Sequence, residues 1–332
     1  MNIHSSSKNI YIYIMNNAFM NPHFKKNPET HKRNVLFGTG LVLIAAFLLI
    51  ILLFFAFSMF STSLMGKCVA VVDIDVPLSV EGVPSTLFSS GVLGSEELAN
   101  TIDGINARDD VGAVVFVFNS PGGSVVATRE VYQSMEELEK PKVAYFREVA
   151  ASGAYYIASG TDYIISDPDA LTGSIGVIAT FTEMSGLFEK IGVNVTSITS
   201  GEHKDIGSPY RVMSDDERQI LQTVVDEVFS EFKSVVIENR KGALDLAKFE
   251  EVADGRILTG RQAVVVGLVD QVGTKKDAII KAAQLSGMEA ESIDDVRVCP
   301  ISTSGEEGGL FSAEAFFEFL KLKSGLPELS YK

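Results

Sequence analysis

From Val35 to Phe60 the chain reads "VLFGTGLVLIAAFLLIILLFFAFSMF", and no charged residue occurs between Arg33 and Lys67. About 20 apolar residues are enough to cross the hydrocarbon core of a bilayer as a helix. A cleaved secretory signal has a shorter apolar region, roughly 7 to 15 residues, followed by a small-residue cleavage site. The run therefore predicts an uncleaved signal anchor over 35–60. Lys25, Lys26, Lys32 and Arg33 precede it and only Lys67 closely follows. Positive charge stays on the cytoplasmic side, so residues 1–34 are expected as a cytoplasmic tail and the remainder as an extracytoplasmic body at the cell membrane.

All but five of the 28 Lys/Arg and all but one of the 43 Asp/Glu lie beyond the run. A body this acidic is a poor partner for nucleic acid or anionic lipid headgroups. Two cysteines, Cys68 and Cys299, cannot build a disulfide framework, although they suffice for one bridge, and each is read as a lone structural thiol. Three of the four histidines (His4, His23, His31) precede the run, leaving His203 as the single imidazole in the body. That is too few ligands for a Cys/His zinc site, and no metal or other cofactor is expected.

Beyond the anchor, strand-like runs such as "CVAVVDI", "GAVVFVF", "KVAYF", "DYIISD" and "SIGVIAT" alternate with helical patterns such as "SEELANTIDGINA" and "SVVATREVYQSMEELE". This rhythm predicts an α/β fold with a parallel sheet and crossover helices, occupying residues 67–290. A later helix begins at "SDDERQILQTVVDEVFSEFKSVV", where Ser214 and Glu217 form a capping box. Its stripe of Leu221, Val224, Val225, Val228, Phe232 and Val235 is expected to face the core or another subunit. Residues 291–332, with their glycine-rich "GEEGGL", read as a C-terminal tail.

Two glycine-containing turns each follow an apolar strand. In "VFVFNSPGGSV", Gly122 and Gly123 allow a backbone N–H to face a substrate carbonyl, as an oxyanion hole requires. The plainer reading is an ordinary strand-to-helix turn with Ser124 as cap. Neither a GxxxxGK[ST] nor a GxGxxG pattern is present, so it is not a phosphate loop. In "YFREVAASGAYYIAS", Ser152 lies among Ala150, Ala151, Gly153 and Ala154, small neighbours that leave its hydroxyl accessible. A helix starting there aims unsatisfied N–H groups at a developing oxyanion, although a serine opening a helix usually serves only as its cap.

A serine nucleophile needs a base, and "SGEHKDIGSP" offers two adjacent ones. A Ser/His/Asp triad would use His203, whereas a Ser/Lys dyad would use Lys204 with its amine neutral. Bringing a lysine from about 10.4 to near neutrality is a shift of roughly three units, which burial can supply. Glu202 and Asp205 oppose it and must point away or be solvated. Local sequence leaves the choice open.

Taken together and in this order, "FNSPGGSV", "AASGAYYIAS", "LTGSIGV", "SGEHKDIGSP" and "ADGRILTGRQAVVVGLVD" behind an N-terminal anchor resemble the serine-type signal peptide peptidase A family, from about Lys67 to Ala290. The resemblance implies a Clp-protease/crotonase-like fold of repeated ββα units. It also implies a Ser/Lys dyad that degrades remnant signal peptides and other apolar peptides at the membrane. On this chain it makes Ser152 the nucleophile, Lys204 the general base and Ser174 the group that orients the lysine, with Gly123 and Gly153 as oxyanion donors. His203 becomes a bystander, since neighbours in an extended segment face opposite ways. The family further implies a cyclic homo-oligomer whose sites combine the serine of one subunit with the lysine of the next. Ala154 departs from the second glycine that many members carry after the serine. Two other readings are an inactive membrane scaffold on the same fold and a crotonase-like acyl-thioester enzyme, which an extracytoplasmic body would deprive of coenzyme A.

Overall fold

In the computed structural model, which describes residues 44–53, 66–75, 77–82 and 93–301, the apolar β-branched runs become the middle of one eight-stranded sheet. The chain divides into two compact units, residues 1–65 and 66–332. Of the first, residues 44–53 are described, and they are helical with exposed apolar side chains. Among the described residues no helix is long and apolar enough to cross a membrane. The tail 1–34 and most of the expected anchor 35–60 lie outside the described residues.

In the second unit, β1 (Cys68–Ile74), β2 (Val111–Ser120) and β3 (Lys142–Ala151) pair in parallel, joined by helices α1 (Ser95–Asn106) and α2 (Val125–Glu137). Both faces of this sheet are covered, which explains why the strands read as unbroken apolar runs. On β2, Val114, Phe116 and Phe118 enter one core with Leu98 and Ile102 of α1 and Val131 and Met135 of α2. The alternate residues Ala113, Val115 and Val117 enter a second core with Ala278, Ile279, Ala282 and Ala283, which lie on a helix over Lys275–Leu285.

Strand β3 changes neighbours along its length. Val143–Phe146 pair with β4 (Tyr163–Ser166), while Val149–Ala151 pair with β5 (Leu171–Gly173). After β3 comes α3 (Gly153–Ser159). The sheet continues with β6 (Ile257–Thr259), antiparallel to β5, and β7 (Gln271–Val272), parallel to β4. The run "SIGVIAT" is not a strand: only "LTG" pairs, and from Ser174 the chain leaves the sheet. A short helix, α4 (Ser185–Lys190), follows, and then α5 (Asp215–Asn239). The Ser214/Glu217 capping box forms as expected. The apolar stripe of α5 divides, however. Phe232 is buried with Val236 in the core, whereas Val224 is 55% exposed.

The body continues beyond Ala290. A last strand, β8 (Val298–Ile301), pairs in parallel with β1, and Cys68 and Cys299 form a disulfide across 231 residues of sequence. This overturns the reading of two lone thiols. The two cysteines meet because the chain returns to the open edge of β1, with a Cα–Cα distance of 5.9 Å, and nothing in the local sequence of either reports that return. Cys68 Sγ also lies 3.8 Å from Asp110 Oδ2. With the sulfurs bonded to each other, the Cys68–Asp110–Cys299 cluster offers neither a thiol donor nor a thiolate ligand. Mapping of the protein under non-reducing conditions is expected to return the Cys68 and Cys299 peptides as one cross-linked species. Cys299→Ser should lower stability by about 2–5 kcal/mol, read as a fall in the urea midpoint. An unchanged midpoint would show that the bridge adds nothing to the sheet.

Candidate active site

The β3–β5 register ends at Ala151 opposite Gly173, so the next residue on each strand is a serine, Ser152 and Ser174. Neighbouring strands lie about 4.8 Å apart, which makes the two serines neighbours in space. Both have left-handed backbone angles, φ 53° at Ser152 and 50° at Ser174, and they are the two non-glycine residues with positive φ among the described residues. Such conformations cost of order 1–3 kcal/mol each and persist only where surrounding structure imposes them. The sheet imposes them here: Ser152 N donates to Gly173 O (2.9 Å) and Ser174 N to Arg256 O (2.8 Å). Although Ser152 stands at the N-cap position of α3, its side chain makes no capping hydrogen bond. The plain cap reading therefore fails for it, and likewise for Ser124 ahead of α2.

The glycine turn abuts the serine turn. Gly122 has φ 91°, and a Cβ there would lie 2.6 Å from Gly153 N and 2.8 Å from Ala151 O. On its other side the turn is held by the segment at Leu78: Leu78 N donates to Gly122 O and Ser124 N to Leu78 O, both at 2.8 Å. In this bridge Gly123 opposes Leu78, so its own N–H is turned away from that partner and left available. Gly123, Gly153, Ser152 and Ser174 line one cleft of about 450 Å³. Its walls include Val125, Tyr156, Val228 and Phe232, with the Tyr156 and Phe232 rings 5.2 Å apart. Arg129 and Glu231, joined in an ion pair, also line it. So does Asp254, whose carboxyl is held down at about 2 by its hydrogen bonds with Arg256. The sequence reading missed these lining residues. The periodicity of α5 did mark Val228 and Phe232, but as core or interface positions.

Lys204 is placed differently from the other four predicted site residues. It is exposed and does not line the cleft, and the same holds for His203. Nor is "SGEHKDIGSP" extended. Lys204 N donates to Gly201 O (3.2 Å), Ile206 N to His203 O (3.2 Å) and Ser208 N to Asp205 O (2.9 Å), which winds residues 201–208 into successive turns. Strand alternation therefore does not separate Lys204 from His203. Asp205 is engaged by Arg211, whose guanidinium also binds Glu217 at the head of α5. The chain leading into these turns carries exposed apolar side chains, with Ile191 and Ile198 62% and 98% exposed.

Residues 135–289 match the family model of Peptidase family S49. A protein of Methanocaldococcus jannaschii, named a protease by inference, is 40% identical over 58% of this chain and 62% of its own length. A protein of Synechocystis, likewise named a protease, is 42% identical over 55% and 66%. A protein of Enterococcus faecium, named by inference a signal peptide peptidase SppA, is 38% identical over 61% of each chain. The chain thus spans less than two thirds of the length of these curated relatives.

A methyl group at position 123 would sit 2.0 Å from Leu78 O, a collision between two backbones that no rotamer relieves. Gly123→Ala is expected to lower stability by about 1–3 kcal/mol and to slow labelling of Ser152 by a fluorophosphonate. Gly186→Ala, with nothing within 4 Å, should change neither. Equal labelling of both variants would show that the Leu78 bridge does not constrain the serine turn.

Proposed function

Because the chain belongs to peptidase family S49, we propose that it is a serine endopeptidase in which Ser152 is the nucleophile and Lys204 the general base. The observation that carries this reading is the pair of strained serines. Ser152 and Ser174 leave adjacent strands at positive φ into the same cleft, within the residues that match the family. Strain of this kind collects at reactive turns, where it presents a hydroxyl clear of the sheet. Family membership also stands against the acyl-thioester alternative.

In the proposed mechanism Ser152 Oγ attacks the scissile carbonyl while its proton passes to the neutral amine of Lys204, which Ser174 orients. The N–H groups of Gly123 and Gly153 receive the oxyanion. The lysine ammonium then protonates the leaving amine, and water hydrolyses the acyl-enzyme by the same route in reverse. The apolar walls Val125, Tyr156, Val228 and Phe232 suit an uncharged side chain beside the cleaved bond. Apolar peptides, remnant signal peptides among them, are the proposed substrates, on the Clp-protease/crotonase-like fold that the motifs imply. The proposed setting is the outer face of the cell membrane, with the 35–60 run as anchor. The Cys68–Cys299 disulfide supports an oxidising, extracytoplasmic location.

The position of Lys204 supports a site completed between subunits of a cyclic homo-oligomer. The lysine does not line the cleft of its own chain, and the segment leading to it exposes Ile191 and Ile198, apolar surface of the kind a second copy covers. A heterologous contact that closes on itself generates a ring, and burial between subunits favours the neutral amine.

Ser152→Ala and Lys204→Ala are each expected to abolish cleavage of an apolar peptide, with the double variant little worse than either, while His203→Ala retains most activity. Mixing the two single variants under subunit exchange should restore part of the activity, since some interfaces then pair an intact serine with an intact lysine. Activity in Lys204→Ala would remove the dyad. Inactive mixed assemblies, confirmed by mass, would place the dyad within one chain.

A further inference from the structure

Lys204 is followed directly by an acid, and a carboxylate beside a lysine favours the ammonium, the form that cannot act as a base. In the structure this acid is occupied. Arg211 Nε donates to Asp205 Oδ2 (2.9 Å) and Nη2 to Asp205 Oδ1 (2.7 Å), a fork across one carboxylate. The same guanidinium reaches Glu217, with Nη1 donating to Oε2 (2.7 Å) and Nη2 to Oε1. Glu217 is 3% exposed and is already fixed, since Ser214 N donates to its carboxylate and Glu217 N to Ser214 Oγ. One arginine thus fastens the turn that carries Lys204 to the capped head of α5 while neutralising the acid next to the lysine.

We infer that Arg211 is a positioning residue for Lys204, which holds the 201–208 turns against α5 and keeps the charge of Asp205 off the lysine amine. The inference rests on the reading of Lys204 as the base. Arg211 holds the carboxyls of both Asp205 and Glu217 below the ordinary range, that of Glu217 at about 2. Both acids are therefore ionised wherever a lysine titrates, and among the described residues Arg211 is the cation paired with each of them. Other charged groups belong to the same region as Lys204. Its own turns carry Glu202 and His203, both exposed, and Glu183 and Arg218 lie around the adjoining hollow with Arg211. In the cleft that the lysine must enter, Glu231 and Asp254 are each paired with an arginine, Arg129 and Arg256. Asp205 is the acid adjoining Lys204 in sequence whose charge a single other residue compensates.

Removing the arginine leaves the negative charge of Asp205 uncompensated, and a carboxylate beside a lysine favours the ammonium over the neutral amine. The rising limb of kcat/KM against pH therefore moves upward. Arg211→Gln is expected to move that limb by about one pH unit, making the enzyme about tenfold slower at pH 7 with little loss on the alkaline plateau. Adding Asp205→Asn to that variant should return the limb to its wild-type position. Arg211→Lys, which keeps the charge without the fork, should hold the limb in place even where it lowers the urea midpoint. A uniform loss at every pH, with no shift and no rescue by Asp205→Asn, would overturn the inference and leave Arg211 a purely structural residue. Should Arg211→Gln not fold, a limb in Arg211→Lys displaced as far as one unit would overturn it equally. Lys204→Ala assayed alongside separates the two ideas: activity there removes the lysine reading itself, whereas an inactive Lys204→Ala with an unshifted Arg211→Gln removes only the role of the arginine.

Discussion

The site depends on where the parallel pairing of β3 and β5 stops. Ala151 opposite Gly173 is the last matched pair, and both chains then turn through a positive φ at a serine. Neither serine would adopt that conformation alone, because an L-residue meets its own carbonyl there. The main-chain bonds from Ser152 to Gly173 and from Ser174 to Arg256 hold it in place. The sheet behind them is buried on both faces and stapled at its far edge by the Cys68–Cys299 bridge. A rigid platform is what allows about 1–3 kcal/mol of strain per residue to persist.

The glycine turn is fixed by contacts from two directions. Gly122 lies against the backbone of the serine turn, and Gly123 against the backbone of Leu78. The Leu78 bridge uses Gly122 O and Ser124 N, so the Gly123 N–H takes no part in it. An ordinary strand-to-helix turn would need no such bridge. The two turns, far apart in sequence, are thus one local structure, and a displacement of either is felt by the other.

The region of Lys204 is built on different physics. It has few buried apolar residues and is organised by short turns and by one arginine shared between two acids. In a body with so large an excess of acid, a lysine proposed to act as a base needs its acidic neighbours compensated. Arginine forks do this at Asp205 and again at Asp254. The same segment exposes Ile191 and Ile198, apolar surface that the proposed cyclic assembly would cover.

The alternating strands and helices, the capping box at Ser214 and the two glycine-containing turns were legible in the sequence because each rests on local chemistry: side-chain periodicity, a cap and its partner three residues on, and glycines where backbone must approach backbone. Residue types alone also narrowed the candidate base to His203 or Lys204. What the sequence could not show was anything set by which strands become neighbours. The disulfide was missed because β8 returns to β1 only in the folded sheet. "SIGVIAT" looked like a strand because its apolar pattern carries no sign of the positive φ that the β5 register imposes at Ser174. The stripe of α5 has a single helical period, yet tertiary packing assigns Phe232 to the core and the cleft wall and leaves Val224 in water. The sequence determined which groups were present and which local elements they form. Only the tertiary structure decided which of them meet, since strand register and burial are properties of the whole sheet and not of any one segment.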